Sequence, residues 1–315
     1  MSAKVWRVAV FDIGGTFSRH ALYTSSPETM STLTVAESQI VRGLYDGLDL
    51  SGFINWIGEV ATEWYPDVDA ISVGFPGPVR ADGFVYRAPT LLGSDFMGGW
   101  WPPMLCTSGR SIPYVIMNDV SAAAKGVLGD GTETNSAVIN MGSGLGVKVF
   151  VKGQERSGPN GRGGELGHWR VTNDDRFVCD CGGRGHLGAV ASGRGAEQLA
   201  LLMGYPSSAE NIAAEFVAGE DWAEIIVDRI CSYLARGLSA IWCSIGIEDF
   251  VFVGGFAVAL GERFLDLLAG KMGGTSWDLG IDWRSGFHLA GTEGRLALIG
   301  AGRIACGWLD IRVQE

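Results

Sequence analysis

Four residues carry the most specific chemistry in this chain. His168, Cys179, Cys181 and His186 stand in the spacing H-x10-C-x-C-x4-H, within a glycine-rich stretch from Gly161 to Gly193. Two thiolates and two imidazoles complete a tetrahedral zinc site, and the intervening glycines let the backbone turn tightly around an ion. Two of the chain's four histidines fall here, which weighs against incidental placement. Four protein ligands leave no coordination position for water, so the expected zinc is structural.

A second pattern suits phosphate. An apolar run at residues 4–11 leads into Asp12-Ile13-Gly14-Gly15-Thr16, and a second strand is expected over 18–24. Strand, Gly-Gly turn and strand make a hairpin whose backbone N–H groups can face a phosphate. The unit recurs: residues 136–141 are apolar, Gly142-Ser143-Gly144-Leu145-Gly146 follows, and a strand is expected over 147–151. Asp119 ends a short strand (114–117) and opens a small-residue helix (121–128), where backbone N–H groups stabilise a carboxylate. By itself, such an aspartate reads as a plain helix cap.

These residues need elements to hold them. Residues 51–65 carry Phe53, Ile54, Ile57, Val60, Ala61 and Trp64 at helical spacing, with Ser51 as the cap. Residues 70–75 read as a strand running into Pro76-Gly77-Pro78, and 81–112 as loop. Helices are expected over 195–203, 208–218 and 221–245. The last is striped by Leu234, Leu238, Ile241 and Ile245, with Cys231 and Cys243 buried inside it. A strand over 249–253 leads to Gly254-Gly255 and a helix over 257–268, and a final helix covers 294–309.

With 315 residues, 47% of them hydrophobic, the chain can bury two medium-sized cores. A net charge of −11 argues against nucleic acid or an anionic membrane as partner. No apolar run reaches about 18 residues and no apolar leader opens the chain, so neither a membrane span nor export is expected. Six cysteines, two of them in C-x-C, suit a reducing, cytoplasmic setting with metal binding rather than a disulfide framework.

Glu165, Gly167, His168, Cys179, Cys181, Gly182, Gly185, Ser192 and Gly193 match a signature that resembles that of the ROK family, E-x-G-H, then C-x-C-G-x-x-G, then S-G. Two positions depart: His186 replaces the family's third cysteine and Gly188 its glutamate. The resemblance implies an α/β, two-lobed actin-like ATPase (ribonuclease H-like) fold with a cleft between lobes. One lobe would hold 1–118 plus about 291–315, the other 119–290. It also implies an ATP-dependent sugar kinase. Gly14, Gly15, Thr16, Gly142, Ser143 and Gly144 would cradle the phosphates of ATP, Asp12 would hold Mg2+, and Gly254 and Gly255 would meet the adenosine. Asp119 would be the base for a primary hydroxyl, with Asn118, Glu165, His168 and Gly77 at the sugar. His168 would bind zinc through one ring nitrogen and address the sugar with the other. Thr90 stands in Ala88-Pro89-Thr90-Leu91, where the family carries a sugar-contacting asparagine. A homodimer follows by the same analogy.

The losses at Gly188 and Thr90 point to a ring that differs from plain glucose at the end away from the reacting hydroxyl. An amino sugar such as kanosamine is the first expectation, with Glu165 and Asp95 as partners for its ammonium. A C7 cyclitol, plain glucose and a non-catalytic sugar-binding protein are the alternatives. A sugar-sensing regulator of the same family would need a DNA-binding domain ahead of the first phosphate loop, and Asp12 leaves no room for one.

Overall fold

A computed structural model describes residues 4–15, 17–25, 32–40, 48–107, 110–129, 133–291 and 294–314; Thr16 lies outside the described residues. The first part of the chain forms strands β1 (Arg7–Ile13), β2 (Phe17–Thr24) and β3 (Thr32–Ile40), then helix α1 (Leu50–Trp64) and strand β4 (Ala70–Phe75). Next come the short elements β5 (Phe84–Val85), α2 (Pro89–Leu92) and β6 (Gly99–Trp100), followed by β7 (Met104–Thr107), β8 (Arg110–Asn118) and α3 (Asp119–Leu128). The segment read as loop over 81–112 therefore carries several short pieces of regular structure.

The second part holds β9 (Ser136–Met141), β10 (Leu145–Val151), β11 (Gln154–Glu155), a 3-10 turn at Leu166–His168, and α4 (Leu187–Val190). It continues with α5 (Gly193–Leu202), α6 (Ala209–Ala218), α7 (Asp221–Ile245), β12 (Asp249–Val253), α8 (Gly255–Thr275) and β13 (Phe287–Leu289). Helix α9 (Arg295–Gln314) closes the order.

The chain divides into two compact units. One comprises Met1–Thr132, Gly158–Gly163 and Glu293–Glu315, the other Glu133–Ser157 and Gly164–Thr292. The boundary expected at Asn118 thus falls beyond α3. That helix stays with the first unit because glycines let it cross α9 closely: a Cβ on Gly126 would meet the Leu296 carbonyl, and one on Gly300 the Ala122 carbonyl.

In the first unit six strands run in the order β3-β2-β1-β4-β8-β7. β1 and β2 form the expected antiparallel hairpin, while β1, β4 and β8 are parallel neighbours. β4 is buried along its whole length, as a central parallel strand requires. α1 buries Leu50, Phe53, Ile57 and Ala61 against this sheet. Its cap is Asp49, whose Oδ1 accepts from the Gly52 N–H at 2.8 Å, not Ser51, and Trp64 is 48% exposed rather than core.

The second unit carries a five-stranded sheet, β11-β10-β9-β12-β13, with β9 and β12 parallel and β9 and β10 a hairpin. α5 to α8 cover it around one apolar core. Leu234, Leu238 and Ile241 line α7's buried face, but the stripe stops there: Ile245 is 51% exposed. Cys231 is buried as expected, whereas Cys243 is exposed on the last turn.

Candidate functional site

Within the first unit the candidate residues gather at one edge of the sheet. Asp12 pairs in register with Gly74, Gly74 with Met117, and Phe75 with Asn118. Asp12 and Asp119 therefore lie at the carboxyl ends of parallel strands two spacings apart, about 10 Å across the sheet. In open α/β sheets this edge is where ligands bind.

Asn118, 8% exposed, takes the cap position of α3. Its Oδ1 accepts from the N–H groups of Val120 and Ser121 at 3.0 and 3.1 Å, and its Nδ2 donates to Gly77 O at 3.0 Å and Asp119 Oδ1 at 2.9 Å. The Val120 N–H also donates to Asp119 Oδ1, at 2.9 Å. The capping role that Asp119 could have filled thus belongs to its neighbour, and the half-buried Asp119 carboxylate is oriented by two donors. Gly77 has no substitute here: its φ is +91°, and a Cβ would lie 1.8 Å from the Arg87 carbonyl.

Asp12 is largely but not wholly covered, its side chain 13% exposed, and Arg19 Nη1 lies 3.4 Å from its Oδ2. Burial pushes its carboxyl up to about 6, with Arg19 pulling the other way. A hard cation at this oxygen would offset the cost of burying the charge, so the site fits Mg2+ by its chemistry. Thr90 packs on the first glycine turn, where a Cβ on Gly15 would fall 2.3 Å from Thr90 Cγ2.

The second unit assembles the rest. Met141 pairs with Leu145, so Gly142-Ser143-Gly144 forms the hairpin turn, closed by Gly142 N–H donating to Gly144 O at 3.0 Å. The parallel pair Val253 and Asn140 brings Gly254 beside this turn. Gly254 has a φ of +98°, and a Cβ there would meet Asn140 Oδ1 at 2.5 Å and the Met141 backbone at 2.7 Å. The start of α5 also abuts the turn, with the Gly193 N–H donating to Gly142 O at 2.8 Å.

His168, Cys179, Cys181 and His186 present ligand atoms that all lie within 4.8 Å of one another. Cys179 Sγ is 3.5 Å from His168 Nδ1, and Cys181 Sγ is 3.4 Å from His186 Nδ1. Zinc bound about 2.3 Å from sulfur and 2.0–2.1 Å from nitrogen sets such tetrahedral edges at about 3.5 Å. The cluster therefore fits the ion in donor type and in size. Burial pushes the Cys179 thiol up to about 11, with the Cys181 N–H pulling it down and the Cys181 thiol pushing it up, and burial holds His186 below the usual imidazole range. A neutral imidazole is the form that ligates, and a dication favours the thiolate that burial alone opposes. The glycines between the ligands are sterically required. A Cβ on Gly183 would strike the His186 ring at 2.1 Å, and one on Gly185 the Thr172 carbonyl at 2.1 Å.

Glu165 and the 3-10 turn rest on β10. A Cβ on Gly167 would lie 2.3 Å from Leu145 O, and Glu165 Oε1 is 3.2 Å from Lys148 Nζ. Gly188 faces the same turn from α4, 3.1 Å from Gly167 O by the same measure. Three residues here escaped the sequence reading: Lys148, Asp180 and Arg194. Arg194 Nε donates to Ser143 O at 3.0 Å, while its Nη2 pairs with Asp180 at 2.7 Å. Asp180 sits between the two cysteines, so a salt bridge ties the metal cluster to the second phosphate turn. Its C-x-C position was the available signal.

Two glycine hairpin turns, each on its own sheet, define the actin-like ATPase class. A ROK family glucokinase from Streptomyces griseus, solved in complex with glucose and AMPPNP, shares this fold at a TM-score of 0.65 and 21% identity, covering 96% of this chain and 98% of that one. The ROK family model matches residues 8–269, and the chain belongs to that family. A C(7)-cyclitol 7-kinase from Streptomyces hygroscopicus subsp. limoneus is 38% identical over 228 residues, 64% of this chain. That match spans 63% of the relative's length, less than two thirds. A glucokinase from Halalkalibacterium halodurans is 28% identical over 342 residues, covering 98% of this chain and 96% of the relative. Among the described residues no helix is long and apolar enough to cross a membrane.

Proposed function

We propose that the chain is an ATP-dependent kinase that phosphorylates the primary (6-type) hydroxyl of a hexose-like polyol. One observation carries this reading: Asp119 stands at the carboxyl end of a parallel strand with its carboxylate fixed by Asn118 and the Val120 N–H. A general base must be held within reach of the proton it takes, and two donors on one oxygen fix its direction. In this reading Asp119 accepts the proton of the attacking hydroxyl. Asn118 acts through it as a positioning residue, since its own donors and acceptor are already engaged.

The glycine turns at Gly14-Gly15 and Gly142-Ser143-Gly144 offer backbone donors to the phosphates of ATP, and Gly254-Gly255 meets the adenosine. Asp12 holds Mg2+, which neutralises charge on the transferred phosphate when bound. His168, Cys179, Cys181 and His186 would hold zinc as a structural staple, and His168 and the nearby Glu165 would address the sugar. His168 Nδ1 faces the cluster, so Nε2 is the nitrogen for a substrate contact. A homodimer belongs to the same reading by family analogy, and a reducing, cytoplasmic setting by the C-x-C thiols suited to metal rather than to a disulfide.

Gly188 offers no carboxylate, and Thr90, whose methyl faces Gly15, offers only a short hydroxyl, so a ring other than plain glucose is the favoured acceptor. The cyclitol kinase relative agrees, while the glucokinase relative keeps glucose as the second reading. ADP release measured over a panel of hexoses, amino sugars and C7 cyclitols tests the class. Asp119→Asn is expected to lower kcat by about 10²–10⁴ with ligand binding retained. Near-native turnover in that variant removes Asp119 from the mechanism, and no ADP with any polyol removes the kinase reading.

A further inference from the structure

Lys148 breaks the pattern of its strand. It lies on β10 between Val147 and Val149, yet its side chain is only 4% exposed. A buried ammonium is tolerated only when paired. One partner is Glu165, with Nζ 3.2 Å from Oε1. The approach is built into the backbone on both sides. Gly164 has a φ of +83°, and a Cβ there would lie 2.8 Å from Val147 O and 3.1 Å from Lys148 Cδ. Only glycine lets the segment before Glu165 lie directly on the lysine stem.

We infer that Lys148 is a specificity-determining residue: by neutralising Glu165 it selects a neutral polyol and disfavours an acceptor with an ammonium at that subsite. This deepens the proposed function, because it rests on Glu165 being a ligand of the acceptor's hydroxyls. A lone carboxylate would attract a substrate ammonium. A carboxylate already paired with a buried cation carries no net charge to do so. An ammonium donating to the other oxygen of Glu165 would also lie roughly 5–6 Å from Lys148 Nζ, given ordinary hydrogen-bond lengths, and like charges at that range disfavour one another. A hydroxyl donates to the same oxygen without that cost. The pair further fixes the carboxylate's rotamer, so a ring hydroxyl meets a preorganised acceptor. The amino-sugar expectation, which gave Glu165 to the ammonium, is the reading this geometry opposes.

Calorimetric titration of the full chain without nucleotide tests the inference on matched pairs: glucose against 2-amino-2-deoxy- and 3-amino-3-deoxyglucose, and a C7 cyclitol against its amino counterpart. The neutral member should bind at least about tenfold more tightly, the size expected for one unfavourable charge contact in a partly solvated site. Lys148→Met should narrow or reverse that ratio by a similar factor with zinc content unchanged, and Lys148→Arg should preserve it. Should Lys148→Met fail to fold, Glu165→Gln serves instead: it removes this carboxylate from the lysine and should widen the ratio. Wild-type protein that binds the ammonium member as tightly as the neutral one overturns the inference. So does a ratio unmoved by Lys148→Met, or by Glu165→Gln where that variant stands in. Failure of every neutral and charged ligand to bind sinks the sugar-ligand reading first, and this inference with it.

Discussion

Asp12 is expensive to keep ionised where it lies. Its carboxyl is raised from the ordinary 3.8 to about 6 by burial, against the pull of Arg19. The native state therefore holds this proton over a window in which the unfolded chain has released it. Stability must fall as pH rises from about 4 to about 6, and the full loss is about 3 kcal/mol at 1.36 kcal/mol per pKa unit. Asp12→Asn should abolish that fall and abolish Mg2+-dependent ATP binding with it. Mg2+ with ATP should also raise the wild-type melting temperature more at pH 8 than at pH 5, because only the ionised carboxylate gains from a cation. Melting temperatures of both proteins from pH 4 to 8 check this, and superimposable apo profiles would show that Asp12 is not the titrating group. At this scale the sequence was readable where type and spacing bring ligand atoms together, as at the Cys/His cluster, whereas Asp12 and Asp119 take their proposed roles from the family resemblance. Lys148 was invisible because an ion pair between residues on different elements leaves no periodic mark. The helix cap expected of Asp119 as its plain role is instead supplied by Asn118, whose Oδ1 accepts from the Val120 and Ser121 N–H groups.

Elements rather than residues decide how the Cys/His cluster reaches the second glycine turn. Glycines at 182, 183 and 185 fold the knuckle, and Asp180 at its tip grips Arg194 on the first turn of α5. Arg194 in turn holds Ser143 O through its Nε. Helix start, arginine and hairpin turn therefore move together when the knuckle is ordered. Cys181→Ala should lose zinc and weaken the sugar and ATP together, with the sugar the more affected. Asp180→Asn should keep zinc and sugar affinity but raise KM for ATP by about two- to fivefold, the scale of a partly exposed ion pair. Metal analysis combined with KM for each substrate separates the two; zinc-free protein with native KM for both would remove the cluster from function. Long helices and the parallel strands were legible from their apolar spacing. Boundaries were not: Asp49 caps α1 one residue before the helix begins, and the exposed Cys243 and Ile245 show the α7 stripe ending a turn early. Amphipathic spacing reports a face, and only packing shows where that face stops being covered.

Across the whole chain, the proposed base depends on residues far away in sequence. α3 carries Asp119 at its start, and the helix that braces it is α9, from the far end of the chain. The two meet backbone to backbone. A Cβ on Gly300 would fall 1.8 Å from the Ala122 carbonyl, and one on Gly126 would fall 1.9 Å from the Leu296 carbonyl. α9 is also fixed to the sheet, since Ser72 Oγ donates to Ala301 O at 2.8 Å and the Tyr23 ring lies over Gly302. At the opposite end, Trp6 Nε1 donates to Asp310 Oδ1 at 2.7 Å. The family resemblance put about 291–315 with the first lobe, and Glu293–Glu315 does belong to the first unit. The glycine contacts that seat the helix were not legible, because a glycine inside a helix signals by itself only a local weakness. Gly300→Leu forces the helices apart at a backbone contact that no rotamer can relieve, so a loss of at least about 3 kcal/mol is expected, in the range of severe core overpacking. The loss falls on the first unit, which holds both helices, and not on the Cys/His cluster in the second. Scanning calorimetry should then show a lowered first transition, and kcat should fall while zinc content stays at one per chain. A variant with unchanged melting and unchanged kcat would mean that α9 does not brace the helix that carries Asp119.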